Sequence, residues 1–185
     1  MPRVVAPSDS LLSRVLADAR VAKPTYPEVG ATNAAQLPAG YRIDHYERRL
    51  GSEDGRFERA VAALRRWQAQ SGAGIRVVPD GATVEEGGTV LFVVRTFGLW
   101  SVLPCRVVYM VEDESRFCFG YGTLPGHLER GEVEMSVARE EGEAVARIVS
   151  FSRTVDPLAR AAGPLSRRAQ TRFTNGYLDA LERQT

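Results

Sequence analysis

The strongest constraint on the fold is a change of hydrophobic period at residue 74. From there to residue 153, apolar residues recur at every second position, which is typical of strands with one buried face. Six such runs predict six strands, at residues 74–79, 89–97, 103–112, 116–124, 131–138 and 144–153. Short polar turns over residues 112–115 and 140–143 join successive runs, and they indicate an antiparallel meander.

Helical patterns lie on both sides of this meander. Residues 8–22 predict a short capped helix, and residues 52–72 predict one longer helix, with a cap and acidic first turn at 52–54 and glycines at its end. Residues 41–50 predict a further strand. After the meander, Asp156 and Pro157 predict the start of a long C-terminal helix.

The length of 185 residues is enough for one domain with a real core and short for two. We therefore expect a single domain over residues 1–185. Residues 1–40 form an N-terminal helix and a proline-rich arm, 41–155 form the strand–helix–six-strand meander, and 156–183 form the C-terminal helix, with a break near Gly163-Pro164.

A seven-stranded antiparallel sheet must bury one face, and the C-terminal helix is long enough to cross most of it. A strongly twisted sheet wrapped around such a helix leaves a hollow between them. The predicted fold is therefore α+β of the helix-grip kind, similar in element order to the Bet v 1-like, START and polyketide-cyclase proteins. A hot-dog fold is the main alternative, although its principal helix comes early and it needs no long terminal helix.

Charge composition argues against two functions. The 24 basic and 23 acidic residues leave a net charge of +1, without the basic excess of a nucleic-acid-binding protein and without reason to expect membrane insertion or attraction. No apolar run approaches membrane-helix length, and no signal-peptide stretch is visible, so we expect a cytoplasmic protein. Cys105 and Cys118 lack metal-ligand spacing, and we expect reduced packing cysteines, no metal and no cofactor.

The most informative stretch is FCFGYGTLPGHLERGE, at residues 117–132. On this strand Phe119 and Tyr121 share one face, while Gly120 and Gly122 leave the other face nearly bare. Glycine inside a strand indicates a bend or the close approach of another group. That group could be the long helix or a ligand lying over the glycines.

The turn after this strand carries His127, one of two histidines, with Glu129 and Glu132 close behind. Such a histidine could act as an acid or base, contact a ligand or bind metal, or it could be structural and hydrogen-bond the turn. A metal site needs three or four converging ligands, and only one histidine is nearby. The candidate catalytic residue is His127, and the candidate ligand-binding residues are Tyr121, Gly122, Thr123, His127, Glu132, Phe119 and Tyr109.

Several motifs together resemble a known family. They are Val29-Gly30-Ala31-Thr32, the helix from Phe57 to Trp67, LPCRVVYMVED at 103–113, GYGTLPGHLERGE at 120–132, SFSR at 150–153 and AGPLSRRAQ at 162–170. In this order they look like uncharacterised protein family 0548 of bacteria and plants, over about residues 11–183. The chain departs from the family pattern at Val133, often acidic in members, and at Thr154, commonly proline.

The resemblance implies a Bet v 1-like fold and brings no established reaction, substrate or cofactor. The residues that match the motif are Tyr121, Gly122, Thr123, Gly126, His127 and Glu132.

Three functions follow as hypotheses. The first is binding of a small apolar ligand, such as a lipid, an isoprenoid or an aromatic metabolite, in the hollow between sheet and helix. The second is a cyclase-like or hydrolase-like small-molecule enzyme, with His127 as acid or base and Tyr121 or Thr123 orienting the substrate. The third and weaker one is an interaction module, whose arm at 23–40, with Tyr26 and Tyr41, packs on a second subunit. The oligomeric state is left open.

Overall fold

The computed structural model describes residues 2–155 and 163–185. In this part of the chain seven strands form one antiparallel sheet, in the order β1-β7-β6-β5-β4-β3-β2. The strands are β1 Arg42–Gly51, β2 Arg76–Val78, β3 Thr89–Thr96, β4 Leu99–Glu112, β5 Arg116–Thr123, β6 Glu129–Glu140 and β7 Glu143–Thr154. The helices are α1 Asp9–Val21, α2 Arg56–Arg65, α3 Gln68–Gly72 and α4 Gly163–Gln184, with a 3₁₀ turn at Ala31–Asn33. This is the α+β helix-grip arrangement that the sequence predicts.

Two-residue turns connect two of the hairpins. Phe97 and Gly98 join β3 to β4 with φ angles of 50° and 80°, and Glu141 and Gly142 join β6 to β7 with φ angles of 51° and 84°. Turns with two positive φ angles match the twist of paired strands. The sequence pattern predicts the second turn but not the first, because its alternation starts at residue 103, whereas β4 begins at Leu99.

Both faces of the sheet are covered. The inner face packs against α2, α3 and α4, and its buried side chains include Phe92, Phe117, Phe119, Tyr121, Met135 and Val137. The outer face packs against α1 through a second cluster made of Leu12, Leu16, Ala19, Val78, Leu91, Val93 and Leu124. The N-terminal helix therefore has its own apolar partner and lies on the opposite side of the sheet from α4.

The helix predicted over residues 52–72 is divided into α2 and α3, and the single-helix prediction is wrong. Trp67, at the start of α3, has a φ of 56°, a conformation that bulky side chains rarely adopt, and its ring is 1% exposed. The cap predicted at 52–54 is also wrong, because Gly55 precedes α2 with a φ of 74° and makes no side-chain capping bond. Burial of the Trp67 indole offsets the cost of the interrupted helix.

Helix α4 crosses α3 at very short range. A Cβ atom on Gly72 would lie 2.7 Å from the Cβ of Ala180, so glycine is needed at this crossing. Leu178 and Leu181 on the same helix are buried. The predicted helix start at Asp156 and Pro157 lies outside the described residues. The described part of α4 begins at Gly163, where the sequence predicts a break. Among the described helices, none combines the length and the apolar character needed to cross a membrane.

Candidate functional site

The arm of residues 23–40 lies on the outer face and is bonded to Glu132 of β6. The Tyr26 hydroxyl and the Gly30 N–H each donate to Glu132 Oε2 at 2.7 Å. Thr32 donates to Oε1 through its N–H at 2.9 Å and through its hydroxyl at 2.5 Å. Glu132 is 1% exposed. Four donors meet the hydrogen-bonding capacity of a buried carboxylate, so Glu132 anchors the arm.

The same network continues along the outer face to a second acidic residue. The Tyr109 hydroxyl donates to Glu134 Oε2 at 2.7 Å and lies 2.7 Å from the Thr32 hydroxyl. Arg116 forms an ion pair with Glu134 and donates to its Oε1 at 3.2 Å. The Glu134 side chain is buried, whereas that of Arg116 is partly exposed. Burial, together with the neighbouring glutamate, raises the pKa of Tyr109, which keeps its hydroxyl protonated as a donor.

Two glycines of β5 make room for the tyrosines of this network. A Cβ atom on Gly122 would overlap the phenol of Tyr26, and one on Gly120 would overlap the ring of Tyr109. The close approach predicted at these glycines is therefore made by the protein's own tyrosines, one from the arm and one from β4. Of the alternatives that the sequence left open, a contact with the long helix is wrong, because α4 lies on the inner face, and the space over both glycines is taken by the tyrosines and not by a ligand.

Aromatic rings occupy the centre of the inner face, where the sequence analysis predicts a hollow. The Trp67 ring meets Phe92, Phe119 and Tyr121 edge to face, at centroid distances of 5.4, 5.2 and 5.7 Å. Such contacts are favourable beyond the area they bury. The aromatic group therefore fills the centre of the predicted hollow.

Two buried polar atoms in this region have no hydrogen-bond partner within the described residues. They are the indole N–H nitrogen of Trp67, Nε1, and the side-chain oxygen of Gln70, Oε1. The Gln70 side chain is 0% exposed; its Nε2 donates to the Met135 sulfur at 3.0 Å, and a side-chain hydrogen bond from Gln70 to Tyr121 partly offsets the rise in the pKa of that tyrosine. A buried polar atom without a partner is costly in a folded protein. One unused donor and one unused acceptor therefore lie three residues apart around the start of α3.

Two tyrosine hydroxyls complete what we name the interior polar cluster: Trp67, Gln70, Tyr121 and Tyr177. Burial raises the pKa of Tyr121 well above its ordinary value, and the nearby Tyr177 of α4 raises it further. Burial also raises the pKa of Tyr177. Both hydroxyls stay protonated at neutral pH, so the cluster presents neutral donors and acceptors among apolar side chains.

His127 is bonded to the backbone of its own turn. Its Nδ1 lies 3.0 Å from the Glu129 amide nitrogen and 3.2 Å from the Glu129 carbonyl oxygen, so it accepts from the first in one tautomer and donates to the second in the other. Burial lowers the pKa of His127 to about 4, although the ring keeps some accessible surface. Burial also raises the pKa of Glu129, which accepts a hydrogen bond from Gln170 of α4. The ring is therefore neutral at pH 7, with Nδ1 held by the backbone of Glu129.

The family follows from comparison of the sequence with known proteins. The model of the family described as "Domain of unknown function (DUF1990)" matches residues 25–180. The chain belongs to this family. It is 35% identical to a UPF0548 protein of Deinococcus radiodurans, over 96% of this chain and 95% of that protein. It is 31% identical to a UPF0548 protein of Arabidopsis thaliana, over 77% of this chain and 72% of that protein. The resemblance seen in the sequence is confirmed.

Solved structures agree on the fold of this DUF1990 protein. A START superfamily protein from Mycobacterium smegmatis aligns with a TM-score of 0.51 and 12% identity, covering 79% of this chain and 100% of that one. A hypothetical protein from Helicobacter pylori aligns with a TM-score of 0.55 and 12% identity, covering 86% and 94%. At this identity the likeness shows a START-like fold and no shared activity.

The seven predicted site residues of this DUF1990 protein lie in three places. Phe119 and Tyr121 are on the inner face, and Gly122, Glu132 and Tyr109 are on the outer face under the arm. The remaining two, Thr123 and His127, lie at the end of β5 and in the following turn, where the Thr123 hydroxyl accepts the Gly131 N–H at 3.1 Å. The sheet therefore separates residues that the sequence groups together, and their functional roles stay predictions.

Trp67 and Gln70 were missed as candidate site residues, because the sequence pattern placed Trp67 in the apolar core and gave Gln70 no role. A glutamine on a short amphipathic helix carries no sign of burial in its spacing. Among the described residues, no three His, Cys, Asp or Glu side chains converge in a group that could hold a metal ion.

Proposed function

We propose that the protein binds a small, mainly apolar molecule between the inner face of the sheet and helix α4, beside the interior polar cluster. The observation that carries this proposal is the pair of buried atoms without partners, Trp67 Nε1 and Gln70 Oε1. A fold that leaves both a donor and an acceptor unused in its core gives up stability, unless a bound group completes them.

The chemistry of the surroundings limits the class of ligand. The neighbours of the two atoms are rings and thioethers, such as Phe119 and Met135, which favour an apolar body. The two atoms themselves favour one polar group that accepts from the indole and donates to the amide oxygen. A hydroxyl does both. An isoprenoid, lipid-derived or aromatic alcohol of modest size fits these requirements, since the aromatic group takes up the centre of the inner face.

Native mass spectrometry of protein purified without denaturation tests the proposal directly. We expect a bound species of a few hundred daltons, which is then extracted and identified. Its loss from Gln70→Met and its retention in Gln68→Met, a substitution on the same helix at a more exposed position, would tie the ligand to the interior polar cluster. A bound species retained equally in both variants would contradict the proposed site.

Binding is also measurable through Trp67 itself. The protein has two tryptophans, and Trp100 lies on β4, away from the inner face clusters. In a Trp100→Phe background the remaining indole reports on the cluster. A long-chain alcohol such as farnesol serves as the probe, and saturable quenching or a spectral shift supports binding. An emission spectrum that farnesol leaves unchanged, in protein freed of any bound species, would count against it.

The enzyme hypothesis receives less support. His127 Nδ1 is held by the backbone of Glu129, which leaves only Nε2 for acid–base chemistry, and burial keeps the ring neutral at pH 7. The interaction-module hypothesis is also weakened, because Tyr26 of the arm donates to Glu132 of the same chain and Tyr41 packs on Phe151, with ring centroids 5.0 Å apart.

A further inference from the structure

An exposed apolar corner is formed by the N-terminal segment and the β3–β4 hairpin. Its side chains are Val4, Val5, Phe97 and Leu99, which are 80%, 76%, 70% and 40% exposed. Arg3 and Trp100 exchange two backbone hydrogen bonds of 2.7 Å, and this pairing holds the N-terminal segment beside the hairpin. Of the six exposed large apolar residues in the described part of the chain, four therefore share one corner.

Phe97 is the residue that makes this corner unusual. It occupies the first position of a two-residue turn with a φ of 50°, where asparagine or aspartate before glycine is strongly preferred. A phenylalanine in this conformation is unfavourable, and at 70% exposure its ring gains little from packing. Phe97 thus adopts an unfavourable backbone conformation without gaining packing inside the protein. This indicates that its ring contacts another molecule.

The charges next to the corner have one sign. Arg3, Arg14 and Arg95 take part in no ion pair within the described residues. Arg3 and Arg14 line a shallow groove of about 490 Å³ together with Val4 and Val5. The guanidinium of Arg95 lies 5.7 Å from the Trp100 ring centroid, close to the turn of the hairpin.

Acidic residues balance this local charge only in part. On helix α1, Asp9 faces Arg76 of β2 at 3.4 Å, and Asp18 lines a pocket between α1 and the loop after β5 together with Arg3. The corner is thus basic, although the net charge of the chain is only +1.

We propose that this corner docks on the surface of an anionic lipid bilayer. Phe97, Leu99, Val4 and Val5 enter the boundary between headgroups and acyl chains, and the arginines contact the anionic headgroups. A second copy of this chain fits the corner less well. In a twofold contact the same patch faces itself, which would bring the unpaired arginines of the two copies together. The inference is independent of the ligand proposed for the interior.

Vesicle co-sedimentation tests the docking surface. The intact protein is mixed with phosphatidylcholine vesicles that contain one quarter phosphatidylserine, and with vesicles of phosphatidylcholine alone. We expect binding to the first and much weaker binding to the second, with a loss of binding at high salt. Equal sedimentation with both, or with neither, would overturn the proposal.

Variants place the binding at the corner. Phe97→Asn creates an Asn-Gly turn suited to the positive φ angles, so the fold is kept while the exposed ring is removed. We expect about tenfold weaker vesicle binding for Phe97→Asn and about fivefold weaker binding for Arg95→Gln. Val21→Ser, at an 85% exposed position near the far end of α1, is the matched control and should bind like the parent protein.

Thermal unfolding shows whether each variant is folded, and for Phe97→Asn we expect a melting temperature no lower than that of the parent. Wild-type affinity in Phe97→Asn would overturn the docking surface. Size-exclusion chromatography with light scattering across a concentration series addresses the alternative. A dimer that Phe97→Asn dissociates would assign the corner to self-association and overturn the membrane proposal.

Discussion

Replacing Gln70 by methionine separates the stability of the core from its function. Methionine has nearly the shape of glutamine and lacks the oxygen atom that is buried without a partner. The substitution gives up the hydrogen bond from Gln70 Nε2 to the Met135 sulfur, which is a weak acceptor. If the unpaired oxygen serves a ligand, the protein without ligand should become more stable and its ligand affinity should fall.

The size of both effects follows from the geometry. A buried acceptor without a partner lowers the free energy of unfolding by about 1–3 kcal/mol, and this is the gain when it is removed. Loss of the N–H···S contact cancels a fraction of that gain. The expected gain is about 1 kcal/mol in the free energy of unfolding, which raises Tm by about 2–4 °C for a chain of this length. Loss of one hydrogen bond to the ligand should weaken binding by about tenfold.

Thermal unfolding by calorimetry measures the first effect, on protein stripped of bound species by reversed-phase extraction and refolding. Farnesol titration in the Trp100→Phe background measures the second. Gln68→Met is the control for both, because it makes the same chemical change at a position with remaining solvent access. We expect this control to change Tm and affinity little.

A lower Tm for Gln70→Met would refute the reasoning, because it would mean that Gln70 Oε1 is already satisfied, for example by an ordered water. A higher Tm with unchanged farnesol affinity would confirm the energetic cost but remove the functional explanation. Only the combination of a higher Tm and weaker binding supports the proposed site.

Three further predictions concern the turn at His127, the arm of residues 23–40 and the glycines of β5. Because the folded-state pKa of His127 is about 4, below its unfolded value, the ring contributes stability at neutral pH that is lost as pH falls from about 6.5 to 4. His127→Asn, which keeps an acceptor for the turn, should flatten the pH dependence of the free energy of unfolding in this range by about 3 kcal/mol. Glu132→Gln places an amide NH2 against two of the four donors and should cost about 3–5 kcal/mol, with rapid proteolysis inside residues 23–40. Glu47→Gln at an exposed position should leave that segment protected. Gly122→Ala forces a methyl group into the Tyr26 phenol and should lower the free energy of unfolding by about 3 kcal/mol, measured by urea unfolding. An unchanged free energy of unfolding would show that the arm lies elsewhere.

The sheet could be predicted from the sequence because its signal is local. Alternation over residues 131–138 records which side chains face the inner cluster, and the continuous apolar run over residues 89–97 is typical of a strand covered on both faces. Strands β3 and β6 lie where these patterns placed them. The break at Trp67 could not be predicted, since nothing in local propensity makes a tryptophan adopt a positive φ. Tertiary burial of the indole outweighs the preference for a continuous helix.

The candidate site was predictable only in part, because its contacts join distant residues. The pattern showed that Gly122 makes room for something, but the Tyr26 ring that fills the space comes from an irregular arm with no periodic signal. Glu132 has the position of an ordinary residue on a polar strand face, and only the docked arm makes it a buried carboxylate. The unused atoms of Trp67 and Gln70 are defined by missing partners, which a sequence cannot display.

The anchoring of the arm on Glu132 also has a consequence for the order of events during synthesis. Tyr26, Gly30 and Thr32 leave the ribosome at least a hundred residues before their common acceptor does. The arm must wait, unbound, until β6 has been translated and has paired with β5. A nascent chain stalled before residue 132 therefore carries a free arm and bare glycine backbone on β5. Completion of β6 is the step that closes the outer face.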